Sequence, residues 1–194
     1  MLEEIYTLRE QAKKEGNPVL RDKSFELLLE TIKEKQPKRI LEIGTNVGLS
    51  SVAMLLTSQE SKLVGIEIDE EKIESARKNY KHFGVEDRAQ IFFGNASEVI
   101  PMLSGEFDFI FLDGPKGHYY EYLTNLLSLL KKGGILFADN VLHRGFLSGK
   151  VFVPKRHNTI KHSLENFIER ITTDKNLKTQ IFDLEDGVSI TEKL

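Results

Sequence analysis

The chain contains no cysteine. That absence removes a disulfide framework, a thiolate zinc site and a cysteine nucleophile together, and it fits a reducing compartment. Long apolar runs are missing as well, since nothing approaches the roughly 18 residues of a membrane span. The opening MLEEIYTLRE lacks the basic-then-apolar order of a secretory leader. A cytoplasmic protein with no membrane association is expected. Strong charge of either sign is also lacking: the balance is -3 over 194 residues. The molecule as a whole therefore exerts no strong pull on nucleic acid, although such a sum can hide a local patch. No repeat, low-complexity tract or linker is visible. With 194 residues, 40% hydrophobic and 29% charged, the chain suits one well-cored domain and is short for two. A single domain over residues 1–194 is expected.

What the sequence does contain is an alternation. Apolar strand-like runs at 39–43, 62–68, 89–93, 107–112 and 135–138 are separated by helical patterns at 49–57, 70–83, 96–103 and 119–131, the last ended by Gly133-Gly134. Such a beat predicts an α/β fold, a parallel sheet with helices on both faces. After Asn140 the pattern changes to a long loop, a helix near 160–172 and two strands at 178–183 and 188–191 joined through Asp186-Gly187, which reads as an antiparallel hairpin on the sheet edge.

In open α/β sheets ligands bind outside the carboxyl ends of the strands. Polar residues stand at all five such ends: Glu42 with Gly44, Glu67 with Asp69, Asn95, Asp113, and Asp139-Asn140. Any one alone is an ordinary strand terminus or helix cap; five in a crevice point to a binding site. The first turn carries Gly44 and Gly48, whereas a dinucleotide fingerprint would want glycine where Asn46 and Leu49 stand, so NAD is disfavoured. No phosphate-cradling G-x-x-x-x-G-K-[ST] occurs either. Glu67, at the end of the second strand, is placed to take both hydroxyls of a ribose. A nucleoside without a pyrophosphate fits best.

The blocks LEIGTNVGLSS, IEID, ARKNYKHFGVEDR, FFGNASEVIP, FIFLDGPKGHYYEYL, GGILFADNVLHRG and EDGVSI, in that order between about Asn17 and Lys193, resemble the class I S-adenosylmethionine (SAM)-dependent methyltransferases. Within them they are most similar to the metal-dependent catechol and caffeoyl-CoA O-methyltransferases. The resemblance implies a Rossmann-like fold with a mostly parallel seven-stranded sheet and a C-terminal antiparallel hairpin. It implies that Glu42, Gly44 and Ser50 hold the methionine part of SAM, Glu67 the ribose, and Ile68, Asn95 and Ala96 the adenine, with Asp113 also bordering the cofactor. Asp113, Asp139 and Asn140 would ligate a divalent metal, and Lys116 would be the base near the acceptor hydroxyl, with Asp113 beside it. Two carboxylates and an amide oxygen suit Mg2+, with Ca2+ or Mn2+ as alternatives, and not zinc. Gly114 and Pro115 allow a sharp turn between ligand and base.

Two departures from the family are expected to matter. The chain starts late and should lack the N-terminal helix that in relatives covers substrate and packs a homodimer. Ser189 stands where catechol enzymes carry a substrate-contacting glutamate, so catechol itself is not favoured. The stretch from Val141 to Leu164 has no acidic residue and includes Arg144, Lys150, Lys155, Arg156 and Lys161. It reads as a solvated loop or as a basic patch, within 144–161, for an anionic acceptor such as an acyl-CoA or RNA. Its KRHNTI segment resembles the bacterial branch that methylates 5-hydroxyuridine in tRNA. The acceptor is thus a small vicinal diol or tRNA. His118 and Tyr119, Tyr120 and Tyr122 read as structural. A SAM-binding sensor without catalysis is the remaining alternative, and Lys116 with the intact Asp113, Asp139 and Asn140 argues against it.

Overall fold

Apolar runs become strands and runs of helical period become helices largely where the pattern places them. The computed structural model describes residues 2–142, 145 and 154–194, in two compact units, Met1–Ala96 and Ser97–Leu194. In the first unit Leu2–Lys14 (α1) and Asp22–Lys35 (α2) precede Arg39–Ile43 (β1), Leu49–Thr57 (α3), Lys62–Glu67 (β2), Glu70–His82 (α4) and Ala89–Phe93 (β3). β1 is buried at every position but its first, as a strand covered on both faces should be. α4 begins at Asp69, whose side chain accepts from the backbone N–H groups of Glu71 and Lys72, satisfying donors the first turn leaves open.

The helix α1 corrects the expectation that an N-terminal helix is missing. Ile5 and Ala12 recur at helical spacing and are buried, but the residue between them on that stripe is Arg9, itself 1% exposed. An arginine in the middle of an apolar face hides the periodicity. Glu3 and Glu4 at the start and Lys13 and Lys14 at the end suit the helix dipole.

A short helix, Ala96–Val99 (α5), follows β3 and ends sooner than the expected 103, passing into a 3-10 turn at Ile100–Met102 that contains Pro101; proline offers no N–H for a longer helix. In the second unit come Phe107–Leu112 (β4), Tyr119–Leu129 (α6), Leu130–Asp139 (β5), Asn158–Thr173 (α7), Leu177–Phe182 (β6) and Val188–Lys193 (β7). α6 stops at Leu129 and not at 131, because Leu130 is already extended and pairs with Phe107. Gly133 and Gly134 lie inside β5, where the ladder shifts register; a Cβ on Gly134 would sit 2.8 Å from Leu130 Cδ1 and from the Lys131 carbonyl.

β1 pairs with β2 and β2 with β3, all parallel. β4 pairs parallel with β5, while β5–β7 and β7–β6 are antiparallel. All seven strands of the expected mixed, mostly parallel sheet are present, ordered β3-β2-β1 in one unit and β4-β5-β7-β6 in the other. The second core is aromatic: Phe137 lies against Phe111 at 5.7 Å and Phe109 at 6.2 Å, and Tyr119 against Phe167 at 5.5 Å. Each such buried ring contributes about 2 kcal/mol. No helix among the described residues is long and apolar enough to cross a membrane.

Candidate active site

The turn after β1 takes positive φ three times in five residues, at Gly44 (90°), Asn46 (50°) and Gly48 (76°). Gly48 is required twice over, since a Cβ there would lie 2.8 Å from the Tyr80 ring and 2.9 Å from Ala76 Cβ of α4. The N–H groups of Gly44 and Thr45 donate to the Ile66 carbonyl at 3.0 and 3.2 Å, so the turn is fastened to β2. At the end of β2 the Glu67 carboxylate accepts from three backbone N–H groups: Asn46 at 2.7 Å, Ile68 at 2.8 Å and Asp69 at 3.0 Å. Oε2 takes one and Oε1 two. With about two acceptor sites per oxygen, roughly one remains, so a ribose diol must displace or share a backbone bond. Beside it Ile68 is 63% exposed, and Gly94 donates to the Glu67 carbonyl at 3.0 Å, which brings Asn95 and Ala96 to the same edge.

Glu42 is placed differently. It is fully buried, and Ser51 Oγ donates to its Oε2 while Tyr80 donates to Ser51 Oγ at 2.8 Å. Burial, first, and the charge of Glu42, second, push the Tyr80 phenol far above its ordinary range, with the Ser51 bond opposing them. Ser50, the serine singled out from the sequence, is half-buried one position earlier on α3. Neither Ser51 nor Tyr80 was read from the sequence. The signal available was the 3.6-residue spacing of α3, which turns adjacent serines about 100° apart and lets one face the strand.

In the second unit Asp113 follows β4 directly, and the turn through Gly114 and Pro115 carries Lys116 back so that its Nζ donates to Asp113 Oδ1 at 2.9 Å. Asp139 ends β5 and is 2% exposed; Asn140 adopts φ 56°. The last rung of the parallel ladder is Leu112 with Ala138, and Asp113 and Asp139 each directly follow it in the chain. The Tyr119 hydroxyl closes this end, donating to the carbonyls of Leu112 at 3.1 Å and Asp139 at 3.0 Å. Burial, then the charges of Asp113 and Asp139, hold that phenol well above its ordinary range. Among the described residues no three His, Cys, Asp or Glu side chains form a metal-holding group. A cation here would rest on two carboxylates and Asn140, an all-oxygen set that fits a hard divalent ion. The segment after Asn140 is fixed by Val141 N–H to the Gly187 carbonyl at 3.0 Å and Leu142 N–H to Asp186 at 2.9 Å.

Of the three tyrosines expected to pack, Tyr119 and Tyr122 are buried, but Tyr120 is 48% exposed and does not. His118 precedes α6 and pairs with Glu121 at 2.6 Å. In the basic stretch Arg144 and Lys150 lie outside the described residues, as does the Arg156 side chain. Lys155 is exposed in a 3-10 turn before α7, and Lys161 pairs with Glu165 at 3.5 Å.

A sequence model of the O-methyltransferase family matches residues 3–194. Among curated proteins, the mouse (Mus musculus) catechol O-methyltransferase domain-containing protein 1 is 27% identical over 186 residues, covering 93% of this chain and 70% of that protein. A catechol O-methyltransferase of Niastella koreensis is 36% identical over 115 residues, covering 57% and 52%. Among solved structures, a candidate caffeoyl-CoA O-methyltransferase from Staphylococcus aureus superimposes with a TM-score of 0.88 at 29% identity, covering 97% of this chain and 91% of that one. An SAH-bound Podospora anserina methyltransferase does so at 0.80 and 27%, covering 91% and 80%.

Proposed function

Since the chain belongs to the O-methyltransferase family, whose model matches residues 3–194, we infer that this SAM-dependent O-methyltransferase acts on an acceptor with two neighbouring oxygens, with the help of a divalent metal ion. The single family match over almost the whole length supports reading residues 1–194 as one methyltransferase domain. The observation that carries the metal reading is that Asp113 and Asp139 each directly follow the last paired rung of β4 and β5, Leu112 with Ala138. Two carboxylates at neighbouring strand ends repel unless a cation lies with them; a divalent ion would meet both and compete with Lys116 for Asp113.

Glu67 binds the ribose, Ile68 with Asn95 and Ala96 the adenine, and Glu42, Gly44 and Ser50 the methionine end. When bound, SAM supplies an electrophilic methyl on a sulfonium sulfur. A metal held by Asp113, Asp139 and Asn140, Mg2+ by the chemistry of the set, would polarise the acceptor oxygens. The acceptor oxygen forms a bond to the methyl carbon as the carbon–sulfur bond breaks, its electron pair staying on sulfur to give S-adenosylhomocysteine (SAH). The acceptor proton goes to Lys116 in its neutral amine form, which the Gly114-Pro115 turn aims.

For the acceptor, a small diol and the 5-hydroxyuridine of tRNA share the same chelating geometry, a hydroxyl beside a second oxygen. The tRNA reading is favoured by the acid-free stretch from 141 to 164. It is also favoured by the packing of the Lys116 turn on the start of α7, where a Cβ on Gly117 would be 3.8 Å from Thr159 and 3.9 Å from Ile160. Transfer of labelled methyl from SAM to small vicinal diols, and to bulk tRNA from a strain lacking the gene, tests the pair. Label entering neither substrate, with or without added Mg2+, would refute the vicinal-oxygen acceptor.

A further inference from the structure

Asn46 makes two contacts that face opposite ways. Its backbone N–H donates to Glu67 Oε2 at 2.7 Å, and its side-chain Nδ2 donates to the carbonyl of Pro18 at 2.5 Å. Pro18 belongs to the strap between α1 and α2. The same strap is held from α4, where Lys72 Nζ donates to Asn17 Oδ1, and from α1, where Arg9 Nη2 donates to the Leu20 carbonyl at 2.6 Å. Apolar contact adds to this: Ala12 of α1, Val47 and Leu49 form one buried cluster with Leu8 and Val19 against it. The fold accepts two local costs at Asn46. Its φ is 50° without being glycine, and its Oδ1 is buried with no hydrogen-bond partner among the described residues. Glycine would satisfy the turn without either cost; what the asparagine side chain adds is its hold on the strap.

We propose that Asn46 is a positioning residue that couples the ribose carboxylate to the N-terminal strap, so that binding of the nucleoside half of SAM or SAH and closure of residues 15–21 onto the glycine turn are one linked event. This rests on Glu67 being the ribose ligand. The acceptor site Glu67 has to spare is on Oε2, the oxygen that Asn46 N–H already holds, so an arriving diol meets an oxygen aimed by Asn46, and Asn46 is held in turn by the strap through its amide. Linkage is reciprocal: what loosens the strap weakens the ligand by the same factor.

The test uses the full chain with SAH as probe, read by titration calorimetry and by hydrogen exchange at residues 15–21. In the wild type, SAH slows exchange in the strap. Asn46→Gly keeps the backbone donor to Glu67 and relieves the positive φ but removes the tether; SAH affinity falls about tenfold, about 1.4 kcal/mol, and the strap no longer gains protection. A purely structural role predicts the reverse, since glycine favours this turn. Asn46→Asp, which sets a carboxylate against the Pro18 carbonyl, weakens SAH at least as much. Lys72→Ala, which loosens the strap from α4 without touching the turn, shifts affinity in the same direction. Wild-type affinity in Asn46→Gly, or no SAH-dependent protection of the strap in the wild type, overturns the coupling alone. A wild type that binds no SAH overturns the cofactor reading with it.

Discussion

Lys116 Nζ and Asp113 Oδ1 lie 2.9 Å apart, on side chains only 18% and 24% exposed. The proposed base is therefore held against one of the carboxylates proposed for the metal, and the two proposed roles share one turn. Lys116→Met keeps the length of the stem and removes the amine. It should lower kcat by about 10²- to 10⁴-fold, the usual contribution of a positioned acid or base, while SAH affinity by calorimetry stays within twofold. Activity at the wild-type level in Lys116→Met would remove it from the mechanism.

Excess EDTA should abolish methyl transfer to the vicinal-oxygen acceptor without weakening SAH, and Mg2+ should restore it. Asp139→Asn should do the same without restoration. Full transfer in EDTA would sink the metal reading while leaving the ribose and methionine assignments untouched.

Glu67→Ala removes the proposed ribose contacts and frees three backbone donors at once. Hydrogen bonds to a charged group are worth about 2 to 3 kcal/mol, which predicts a loss in SAM affinity of roughly 30- to 150-fold. Titration calorimetry measures it, and an unchanged affinity would exclude Glu67 from the site.

The buried relay behind Glu42 makes a separate prediction. Ser51→Ala takes a donor from a carboxylate with no exposed surface, and Tyr80→Phe leaves Ser51 without the phenol at 2.8 Å. Leaving a buried acceptor short of a donor costs about 1 to 3 kcal/mol. Ser51→Ala should thus lower the melting temperature and weaken SAM, whereas Tyr80→Phe, one bond removed, should affect mainly stability. Equal SAM affinity in Ser51→Ala and wild type would confine the relay to the fold.

Asp22 links α2 to α1 through Lys13 at 3.0 Å and Arg9 at 3.0 Å. The Lys13 bond first and the Arg9 bond second hold its carboxyl below the ordinary value of 3.8. A depressed folded-state value contributes stability that is present above 3.8 and lost as pH falls through the lower folded value. The melting temperature should then drop less steeply below pH 4 in Asp22→Asn than in wild type. Parallel acid profiles would contradict this.

How much of this was legible in the sequence depends on what each residue answers to. Strands β1 and β4 stand where their apolar runs do, because burial on both faces admits little else, and β3 does so too although its side chains are half-buried or exposed. Glu67, Asp113, Asp139 and Asn140 stand out in the sequence as candidates because strand ends collect ligands in such sheets. α1 was not, since Arg9 interrupts its apolar stripe and is stabilised by partners on residues 20 and 22 and by the Phe25 ring 3.7 Å away. The end of α6 was misplaced because Leu130 belongs to a strand pairing with Phe107, a contact the local pattern cannot announce. Ser51 and Asn46 were missed for the same reason: their partners, Tyr80 and Pro18, come from distant parts of the chain.

Gly187 shows how the edge hairpin reaches the site. Its φ is 83°, and a Cβ there would fall 2.4 Å from Leu142 Cγ and 2.6 Å from Leu142 Cβ, nearer than packed carbons can approach. Its carbonyl also holds the Val141 N–H at 3.0 Å, directly after the proposed ligand Asn140. Gly187→Ala must therefore push the 141–142 segment away or strain the hairpin, costing on the order of 1 to 3 kcal/mol. The displacement should also weaken Mg2+-dependent transfer more than SAH binding, since Asn140 moves while Glu67 belongs to another unit. Trimming the obstacle with Leu142→Ala should recover part of the transfer activity, although the positive φ keeps its own penalty. If Gly187→Ala melts like wild type and transfers methyl at the wild-type rate, then the hairpin turn does not set the position of Asn140.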